Sequence, residues 1–201
     1  MGKQAMRPGR VIKVQVIELP KDLGCYHLVK RFLELRKSVF IDRMRWPLST
    51  YAGMEFEQYD TFFCTYVIAH RDGEVLGGAR LVRTDFRNGS GKINYTYMIK
   101  DAHDGILPGL PNSICYYPPP TDPGVWELTR LACTGEKGLA ARILKSANEF
   151  LHTHDARTCL FLGPPSFLRI AAGLGFSPES LGPIVGNDDG RFLAFQCPVQ
   201  A

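Results

Sequence analysis

Residues 125–162 read VWELTRLACTGEKGLAARILKSANEFLHTHDARTCLFL, and this stretch decides the fold class. The run from Val125 to Cys133 is largely apolar and predicts a central strand. Leu139 to Leu151 follows a glycine-containing turn and predicts a helix, and Thr158 to Leu162 predicts the next strand. Strands that alternate with helices around one sheet are typical of an α/β sandwich, so we expect that class.

The residues before this stretch predict a strand, a long helix and a hairpin. Val11 to Ile17 alternates apolar and polar residues, as a strand does. Apolar residues recur at helical spacing from Tyr26 to Arg45, which predicts an amphipathic helix with a basic outer face that Pro47 ends. Beyond an expected loop at residues 46–60, the turn signal Asp72-Gly73 separates two predicted hairpin strands, Phe62 to His70 and Glu74 to Arg83.

The remaining residues predict a long loop and three short elements. Lys92 to Lys100 has the composition of a further strand. Residues 104–124 are rich in proline and too long for a simple connection, which indicates a functional or mobile loop. Ser166 to Leu174 predicts a short helix and Leu193 to Cys197 a closing strand.

The composition is that of an ordinary globular protein. The 201 residues are 45% hydrophobic and 22% charged, which suits one domain over residues 1–201. No apolar run approaches the roughly 20 residues of a membrane span, and Met1 to Arg10 lacks the apolar core of a secretory signal. We therefore expect a cytoplasmic protein whose six cysteines, none in a C-x-x-C pattern, are reduced structural residues.

Positive charge is concentrated at the amino-terminal end. Residues 1–45 hold 11 Lys or Arg against 4 Asp or Glu, although the net charge of the whole chain is only +4. This basic region either attracts an anionic partner or substrate or is simply a solvated helix surface. Basic and aromatic residues are not interleaved, so nucleic acid is not an expected partner.

Three clusters of residues are candidates for chemistry. The first lies at the end of the long helix, the second is an acidic segment followed by an arginine on the hairpin, and the third lies on the central strand. They comprise Arg36, Phe40 and Trp46; Glu55, Glu57 and Asp60 with Arg80; and Glu127, Thr129 and Arg130.

The central strand has a specific geometric prediction. Side chains alternate along a strand, so Glu127 and Thr129 share one face, and Trp126, Leu128 and Arg130 share the other if no bulge intervenes. A carboxylate inside a buried strand is costly unless it is paired or functional, so Glu127 is a candidate general base. The alternative, a salt-bridge network that only fixes the acidic segment, stays open.

The ordered set of these residues resembles the acyl-homoserine-lactone synthases, the LuxI-type autoinducer synthases. The matching runs are LRKSVF at residues 35–40 with Trp46, E-x-E-x-x-D at 55–60, GGARL at 77–81 and WELTR at 126–130, with Leu-Gly-Pro at 181–183. The resemblance spans residues 23 to 197. It implies a domain similar to the GNAT acetyltransferases, with a V-shaped gap between central strands that admits the acyl donor.

The resemblance also implies roles for individual residues. Glu127, Arg130 and Arg80 fall on catalytic positions, and Phe161, Gly163 and His103 fall near the acyl pocket. Two positions depart from the family pattern, because Glu57 stands where Asp is usual and His103 where Phe is usual. The substrate-binding positions are Arg36, Phe40, Trp46, Glu55, Glu57, Asp60 and Thr129.

The implied reaction needs no cofactor and no metal, because S-adenosylmethionine is itself a substrate. Its α-amine takes an acyl group from a thioester, and lactone formation then releases methylthioadenosine, for quorum sensing. Acyl carrier protein is the default donor. Acyl-CoA is the alternative, because the helix after residue 165 offers only Arg169 as a basic residue.

Two other functions compete with this one. An N-acetyltransferase using acetyl-CoA would need an Arg/Gln-x-x-Gly-x-Gly/Ala phosphate loop, and the nearest match, residues 135–140, begins with Gly135 instead. A non-enzymatic binding module leaves the co-occurrence of Glu127, Arg80, Arg130 and the acidic segment unexplained. His152-x-His154 lacks a third ligand, so no metal site is expected there.

Overall fold

A computed structural model describes residues 11–187 and 190–201 of the chain. Met1 to Arg10, on which the secretory-signal argument and part of the basic surplus depend, lie outside the described residues. The strands are β1 (Lys13–Glu18), β2 (Thr50–Tyr51), β3 (Met54–Glu55), β4 (Thr65–Arg71), β5 (Glu74–Arg83), β6 (Asn88–Ser90), β7 (Ile93–Tyr95), β8 (Val125–Cys133), β9 (Thr158–Gly163), β10 (Glu179–Ser180), β11 (Val185–Asn187) and β12 (Gly190–Pro198). The α-helices are α1 (Tyr26–Arg36), α2 (Met98–His103), α3 (Leu139–Thr153) and α4 (Ser166–Gly173).

One mixed sheet organises the described residues. Its strand order is β1-β4-β5-β8-β9-β12-β10, with β11 pairing β12. Neighbouring strands are antiparallel except for β8 and β9, which are parallel and connected through α3. Two small hairpins, β2–β3 and β6–β7, lie outside the main sheet. The structure therefore confirms the expected α/β class and the central position of the strand from Val125 to Cys133.

Helices cover both faces of the sheet. On one face α1 packs against β4, β5 and β8, and on the other α3 packs against β1, β4, β5 and β8. Gly77 and Gly78 on β5 allow these close approaches: a Cβ on Gly77 would lie 3.0 Å from Ile143 of α3, and one on Gly78 would lie 2.9 Å from the Phe32 ring of α1. The two glycines therefore serve helix packing, and the three-layer sandwich is confirmed.

The sheet opens between its two parallel strands. β8 and β9 pair only from Val125 with Thr158 to Leu128 with Phe161. Immediately beyond, β8 bulges against β5, where Arg130 adopts a left-handed backbone conformation with φ of 55°. Such a bulge bends the strand and re-aims a side chain. The V-shaped gap expected from the resemblance is thus present, and it begins at Thr129.

The bulge decides on which face of the sheet Arg130 lies, a point that the sequence analysis made conditional on the absence of a bulge. Without it, Arg130 would share a face with Trp126 and Leu128, which pack on the α3 side. In the structure the Arg130 guanidinium instead bonds Glu55 and Glu57 on the opposite side of the sheet. The extra residue in β8 rotates Arg130 onto the side of Glu127 and Thr129, and the sequence pattern carries no sign of that rotation.

The long amino-terminal helix is not α-helical throughout. From Lys37 to Arg43 it continues as a π-helix, in which the Met44 N–H donates to the carbonyl of Val39. The helix ends at Arg43, and two residues later Arg45 adopts a left-handed backbone conformation with a φ of 63°. Wider turns of this type occur mostly at functional sites. Here the π-helical turns lead to Phe40 and Trp46, both of which face a cavity.

Two other expectations were wrong in detail. The stretch from Lys92 to Lys100 is not one strand, since it divides into β7 and the helix α2. The first two amides of α2 donate to a buried carboxylate of β8, a distant contact that stabilises the helix over its local strand propensity. Residues 46–60 are also not entirely loop, because they contain the β2–β3 hairpin.

The structure also bears on the cysteine and membrane expectations. All six cysteines are free thiols, and Cys64, Cys115, Cys159 and Cys197 are buried, as expected for structural residues. Among the described residues, no helix combines the length and the apolar character that crossing a bilayer requires.

Candidate active site

A cavity of about 510 Å³ passes through the gap between β8 and β9. Its mouth is formed by the π-helical segment, Trp46, Glu57 and the loop at residues 107–110. Its other part, which we call the acyl arm, lies between the sheet and the helices α3 and α4. The acyl arm is lined by Ala140, Leu144, Ala147, Asn148, Leu151, Cys159, Phe161, Leu162, Gly163, Pro164, Phe167, Ile170, Ala171, Phe176, Phe195, Cys197 and Pro198.

Aromatic rings form one wall of the mouth. Phe40 and Trp46 stack in parallel with their centroids 5.2 Å apart, and Phe192 meets Trp46 edge-on at 5.9 Å. The Arg130 guanidinium lies 5.7 Å from the centre of the Phe40 ring. Aromatic faces attract cations, so this wall suits a positively charged ligand group.

Three arginines and three carboxylates form an ionic cluster beside the mouth. Arg36 binds both oxygens of Asp60 through Nη1 and Nη2, at 2.7 and 2.9 Å, and its Nε and Nη2 also contact Glu55. The Tyr66 hydroxyl also donates to Asp60, at 2.9 Å. Bidentate arginine–carboxylate pairs combine strength with fixed geometry. Arg36 therefore joins the long helix rigidly to the acidic segment.

The other two arginines join the acidic segment to the sheet. Arg80 of β5 donates to Glu57 at 2.6 Å and to the Thr129 hydroxyl at 3.0 Å, and lies 3.0 Å from Asp60. Arg130 donates to Glu57 at 2.5 Å and to Glu55 at 3.3 Å. Each carboxylate of the cluster contacts two arginines, so the cluster is electrically balanced.

These contacts hold the cluster ionised. Burial would raise the pKa of Asp60, but the Arg80 and Arg36 guanidiniums outweigh it and hold that pKa well below its usual range. Burial would also raise the pKa of Glu57, but the Arg130 and Arg80 guanidiniums outweigh it, and the pKa of Glu57 is lowered. Both carboxylates are therefore poor proton acceptors at neutral pH.

Glu127 is in a different environment. Its side chain is fully buried on β8, and its carboxylate accepts the N–H groups of Met98, at 3.0 Å, and Ile99, at 2.8 Å. Burial raises the pKa of Glu127 to about 7, although these two backbone hydrogen bonds lower it. A carboxylate with a pKa near neutrality is well matched to proton transfer. Its neighbours Leu128 and Thr129 line the cavity.

A second buried carboxylate, which the sequence analysis missed, orders α2. Asp101 accepts the backbone N–H of Thr96 at 3.0 Å, the Thr96 hydroxyl at 2.6 Å and the Tyr59 hydroxyl at 2.8 Å. It thereby fixes the start of the helix whose amides bind Glu127. No local pattern marks Asp101, since its partners come from a distant segment and from ahead of the helix.

The structure separates the expected binding residues into two layers. Phe40, Trp46, Glu57, Thr129 and Arg130 line the cavity. Arg36, Glu55, Asp60 and Arg80 are buried behind them and do not line it. The charged groups of Arg36, Glu55 and Asp60 bind one another, and the role of these residues in substrate binding stays a prediction.

The expected acyl-pocket residues also divide. Phe161 and Gly163 line the acyl arm, whereas His103, at the end of α2, does not line the cavity. The Phe161 ring stacks on Phe195 of β12, with centroids 4.9 Å apart. The cavity is also lined by residues that the sequence analysis did not identify, among them Arg43, Met98, Leu107 and Phe167. They were missed because they lie in segments without a recognisable motif.

No metal centre emerges from the described part of the chain. Within it, no three histidine, cysteine, aspartate or glutamate side chains converge on a point where they could hold an ion.

The arrangement agrees with what comparison with known proteins finds. A family model described as Autoinducer synthase matches residues 25–111, which contain the first two residue clusters and Arg80. An acyl-homoserine-lactone synthase of Acinetobacter nosocomialis is 27% identical over 183 residues, covering 85% of this chain and 90% of that protein. The chain is thus similar to autoinducer synthases in sequence. These similarities confirm the resemblance seen in the sequence analysis.

Solved structures of similar proteins show that this chain has the expected fold. TofI, in a ternary complex with an inhibitor and MTA, has a TM-score of 0.74 at 24% identity, covering 94% of this chain and 92% of that one. BjaI is described as a CoA-dependent acyl-homoserine lactone synthase and was solved with SAM and isopentyl-CoA. Its TM-score is 0.78 at 17% sequence identity, and the match covers 94% of this chain and 84% of that one. A putative N-acetyltransferase from Lactobacillus plantarum has a TM-score of 0.58 at 12% sequence identity, and the match covers 94% of this chain and 99% of that one. The expected likeness to acetyltransferases is confirmed.

Proposed function

We propose that the chain is an acyl-homoserine-lactone synthase, which acylates the α-amine of S-adenosylmethionine from an acyl thioester and closes the lactone. The observation that carries this proposal is one cavity with two unlike parts. A mouth of aromatic and charged groups meets an apolar acyl arm at Thr129, where β8 leaves β9. A charged acceptor and a hydrocarbon donor could therefore meet at the gap.

The mouth has the chemistry to hold S-adenosylmethionine. Its sulfonium is a cation, which the Phe40–Trp46 stack and the Glu57 carboxylate would attract. Arg130, held between Phe40 and the carboxylates, offers a guanidinium at the same mouth for the substrate's own carboxylate. The buried layer of Arg36, Glu55 and Asp60 would act indirectly, by fixing these groups in place.

Glu127 is the proposed general base for acyl transfer. The α-amine nitrogen attacks the thioester carbonyl, the carbon–sulfur bond breaks, and the donor leaves as a thiol. The amine is an ammonium group at neutral pH and loses two protons in becoming the amide. One passes to Glu127, directly or through a water molecule, and the other goes to the departing thiolate, which makes it a thiol. Support comes from its burial beside Thr129 and from the pKa of about 7 that burial gives it. A backbone N–H at the gap would stabilise the thioester oxyanion.

Lactone closure needs less from the protein. A carboxylate oxygen of the acylated intermediate attacks the γ-carbon, and the bond from that carbon to the sulfonium breaks. Methylthioadenosine leaves as a neutral thioether, so no proton has to move. The protein contributes by holding carboxylate and γ-carbon in a near-attack geometry.

The acyl donor is the less determined substrate. Acyl carrier protein is our default, but α4 carries only Arg169 as a basic residue, which weakens that assignment. BjaI, a relative in fold, is described as CoA-dependent. We propose an unsubstituted acyl chain in either case, because neither Gly163 nor Phe161 can donate a side-chain hydrogen bond.

We also propose that residues 1–201 form one catalytic domain and that this domain works in the cytoplasm.

Product analysis tests the proposal. Purified protein is incubated with S-adenosylmethionine and either acyl-CoA or acylated carrier protein, and the products are identified by mass spectrometry. An acyl-homoserine lactone together with methylthioadenosine is the expected result. An N-acetylated amine formed from acetyl-CoA, without methylthioadenosine, would instead establish the acetyltransferase alternative. Comparing the two donors at equal concentration identifies the carrier.

A further inference from the structure

The turn between β9 and α4 places a phenyl ring directly on a glycine. Pro164 and Pro165 end the strand, and the Phe167 N–H donates to the Pro164 carbonyl at 2.9 Å in the first turn of α4. The Phe167 ring consequently folds back onto Gly163. A Cβ built on Gly163 would lie 2.8 Å from one ring carbon and 3.0 Å from another. The ring thus fills the space that a side chain at position 163 would take.

This contact lies on the route into the acyl arm. The last residue of β9 that pairs with β8 is Phe161, so Gly163 stands in the open part of the gap. Phe161 and Gly163 have the same strand parity and point to the same face. Phe167 therefore lines the passage between the gap and the arm, close to the stacked rings of Phe161 and Phe195.

The walls beyond this passage offer only apolar contact. Asn148 is the one amide side chain among the lining residues of the acyl arm, and both ends of its amide bind the backbone of Gln200. Phe167 also packs in a small cluster with Ala171 and Phe195. Selection between acyl groups in this arm must then depend on size and shape, because few polar groups are free to discriminate.

Building on the proposed function, we propose that Phe167, seated on Gly163, sets the size of the acyl group that the enzyme accepts. The ring is the largest side chain that α4 contributes to the lining, and the two prolines limit the movement of its backbone. Shortening it opens the passage and lengthens the arm. Adding a Cβ at position 163 pushes the ring into the cavity and narrows the passage.

The test compares donors of increasing length. For wild type, Phe167→Ala and Phe167→Leu, kcat/KM is measured with butanoyl, hexanoyl, octanoyl, decanoyl and dodecanoyl donors on the carrier that supports turnover. The ratio of kcat/KM for the dodecanoyl donor to kcat/KM for the hexanoyl donor should rise at least about tenfold in Phe167→Ala, and by a smaller factor in Phe167→Leu. The KM for S-adenosylmethionine should stay constant. Thermal unfolding confirms that each variant folds, and the leucine variant serves if the alanine variant does not.

Two further variants make the test specific. Leu168→Ala is the matched control, since Leu168 packs in the same cluster on α4 without lining the cavity. Its length preference should equal that of wild type. Gly163→Ala should disfavour long donors, and Phe167→Ala should cancel that effect in the double variant, because the added methyl then has no ring to displace.

The outcomes separate the two proposals. Equal length preferences in wild type, Phe167→Ala and Leu168→Ala would overturn the role of Phe167. If wild type forms no lactone from any donor, the proposed function fails instead. In that case binding of free fatty acids of the same lengths, measured by calorimetry, replaces turnover as the readout. The same shift toward longer chains in Phe167→Ala would support Phe167 as the size-limiting residue, and no shift would overturn it.

Discussion

The mouth of the cavity and the acyl arm differ in what fixes their shape. At the mouth, Glu57 and Arg130 are held by directional ionic bonds whose other partners are buried. In the arm, Phe161 and Phe167 are held by ring packing against neighbours that carry no charge. Directional bonds tolerate little change, whereas apolar packing accommodates changes of size at moderate cost. We expect mutations of the ionically bonded groups at the mouth to abolish function and mutations in the arm to alter specificity.

The largest expected effect is at Glu127, which is buried next to the cavity-lining Leu128 and Thr129 and lies apart from the ionic cluster. Glu127→Gln removes the base while keeping the shape of the side chain, so acylation should fall about 10²–10⁴-fold. The fold, followed by circular dichroism, should be retained. Glu149→Gln, the same change on an exposed carboxylate of α3, is the control and should leave the rate unchanged. Near-normal turnover in Glu127→Gln would remove Glu127 from the mechanism.

A pH profile distinguishes a base from a merely structural carboxylate. Because the pKa of Glu127 is raised to about 7, the group is protonated below that pH and cannot accept the amine proton. Acylation by the wild type should then rise with pH and level off above about 7. Glu127 also makes the stability depend on pH. Between the ordinary glutamate pKa of about 4.5 and the folded-state pKa of about 7, the folded protein binds the proton more tightly than the unfolded chain does. The contribution of Glu127 to the free energy of unfolding therefore decreases as the pH rises through this range. Both dependences should disappear in Glu127→Gln.

The ionic cluster should govern stability more than substrate contact. Arg36→Met leaves the buried carboxylates of Asp60 and Glu55 with one arginine partner each instead of two, so the buried cluster carries an uncompensated negative charge. This change should lower the free energy of unfolding by about 3–5 kcal/mol. Lys37→Met, at the adjacent exposed ion pair with Asp42, should cost about 0–1 kcal/mol. Chemical denaturation measures both. Equal midpoints for the two variants would show that the cluster does not stabilise the fold.

The acyl arm should discriminate against a 3-oxo group. A buried oxo group without a hydrogen-bond donor at Gly163 or Phe161 loses about 1–3 kcal/mol, so unsubstituted donors should be preferred about tenfold or more. Competition between unsubstituted and 3-oxo donors of equal length, with the lactones quantified by mass spectrometry, gives the ratio. Thr129 is the hydroxyl that could reverse this preference, since its oxygen accepts from Arg80 and its own proton is free to donate. A dominant 3-oxo product would refute the assignment of Gly163, and loss of that product in Thr129→Val would identify Thr129 as the donor.

The smallest expected effect is at the aromatic wall of the mouth. Trp46→Ala removes one ring of the stack with Phe40, and a cation–π contact at a partly exposed site contributes about 0.5–1 kcal/mol. The KM for S-adenosylmethionine should therefore rise about two- to fivefold, while the KM for the acyl donor stays constant. Tyr51→Ala, at an exposed tyrosine of β2, is the control. An unchanged KM would leave Trp46 as a packing residue.

The elements with strong local signals were predicted well from the sequence. Val125 to Cys133 was placed as a strand over the range that the structure gives, and the Asp72-Gly73 turn was located correctly. The π-helical turns after Arg36 and the short helix α2 were not predicted. The helix α2 depends on a distant partner, because Glu127 of β8 accepts its first amides. Local propensity cannot report contacts between segments that are far apart in the chain.

The same division holds for the candidate site. The amino-acid sequence by itself determined the residue types and their order, and hence the resemblance to autoinducer synthases, the α/β class and the clusters that contain Glu57, Thr129 and Arg130. Only the tertiary structure decided which of them face the cavity. The bulge at Arg130 reverses the side on which that residue lies, and the turn at Pro164 and Pro165 brings Phe167 onto Gly163. The physical reason is that a one-residue bulge or a tight turn redirects a side chain by half a turn at small energetic cost, whereas composition and spacing remain unchanged.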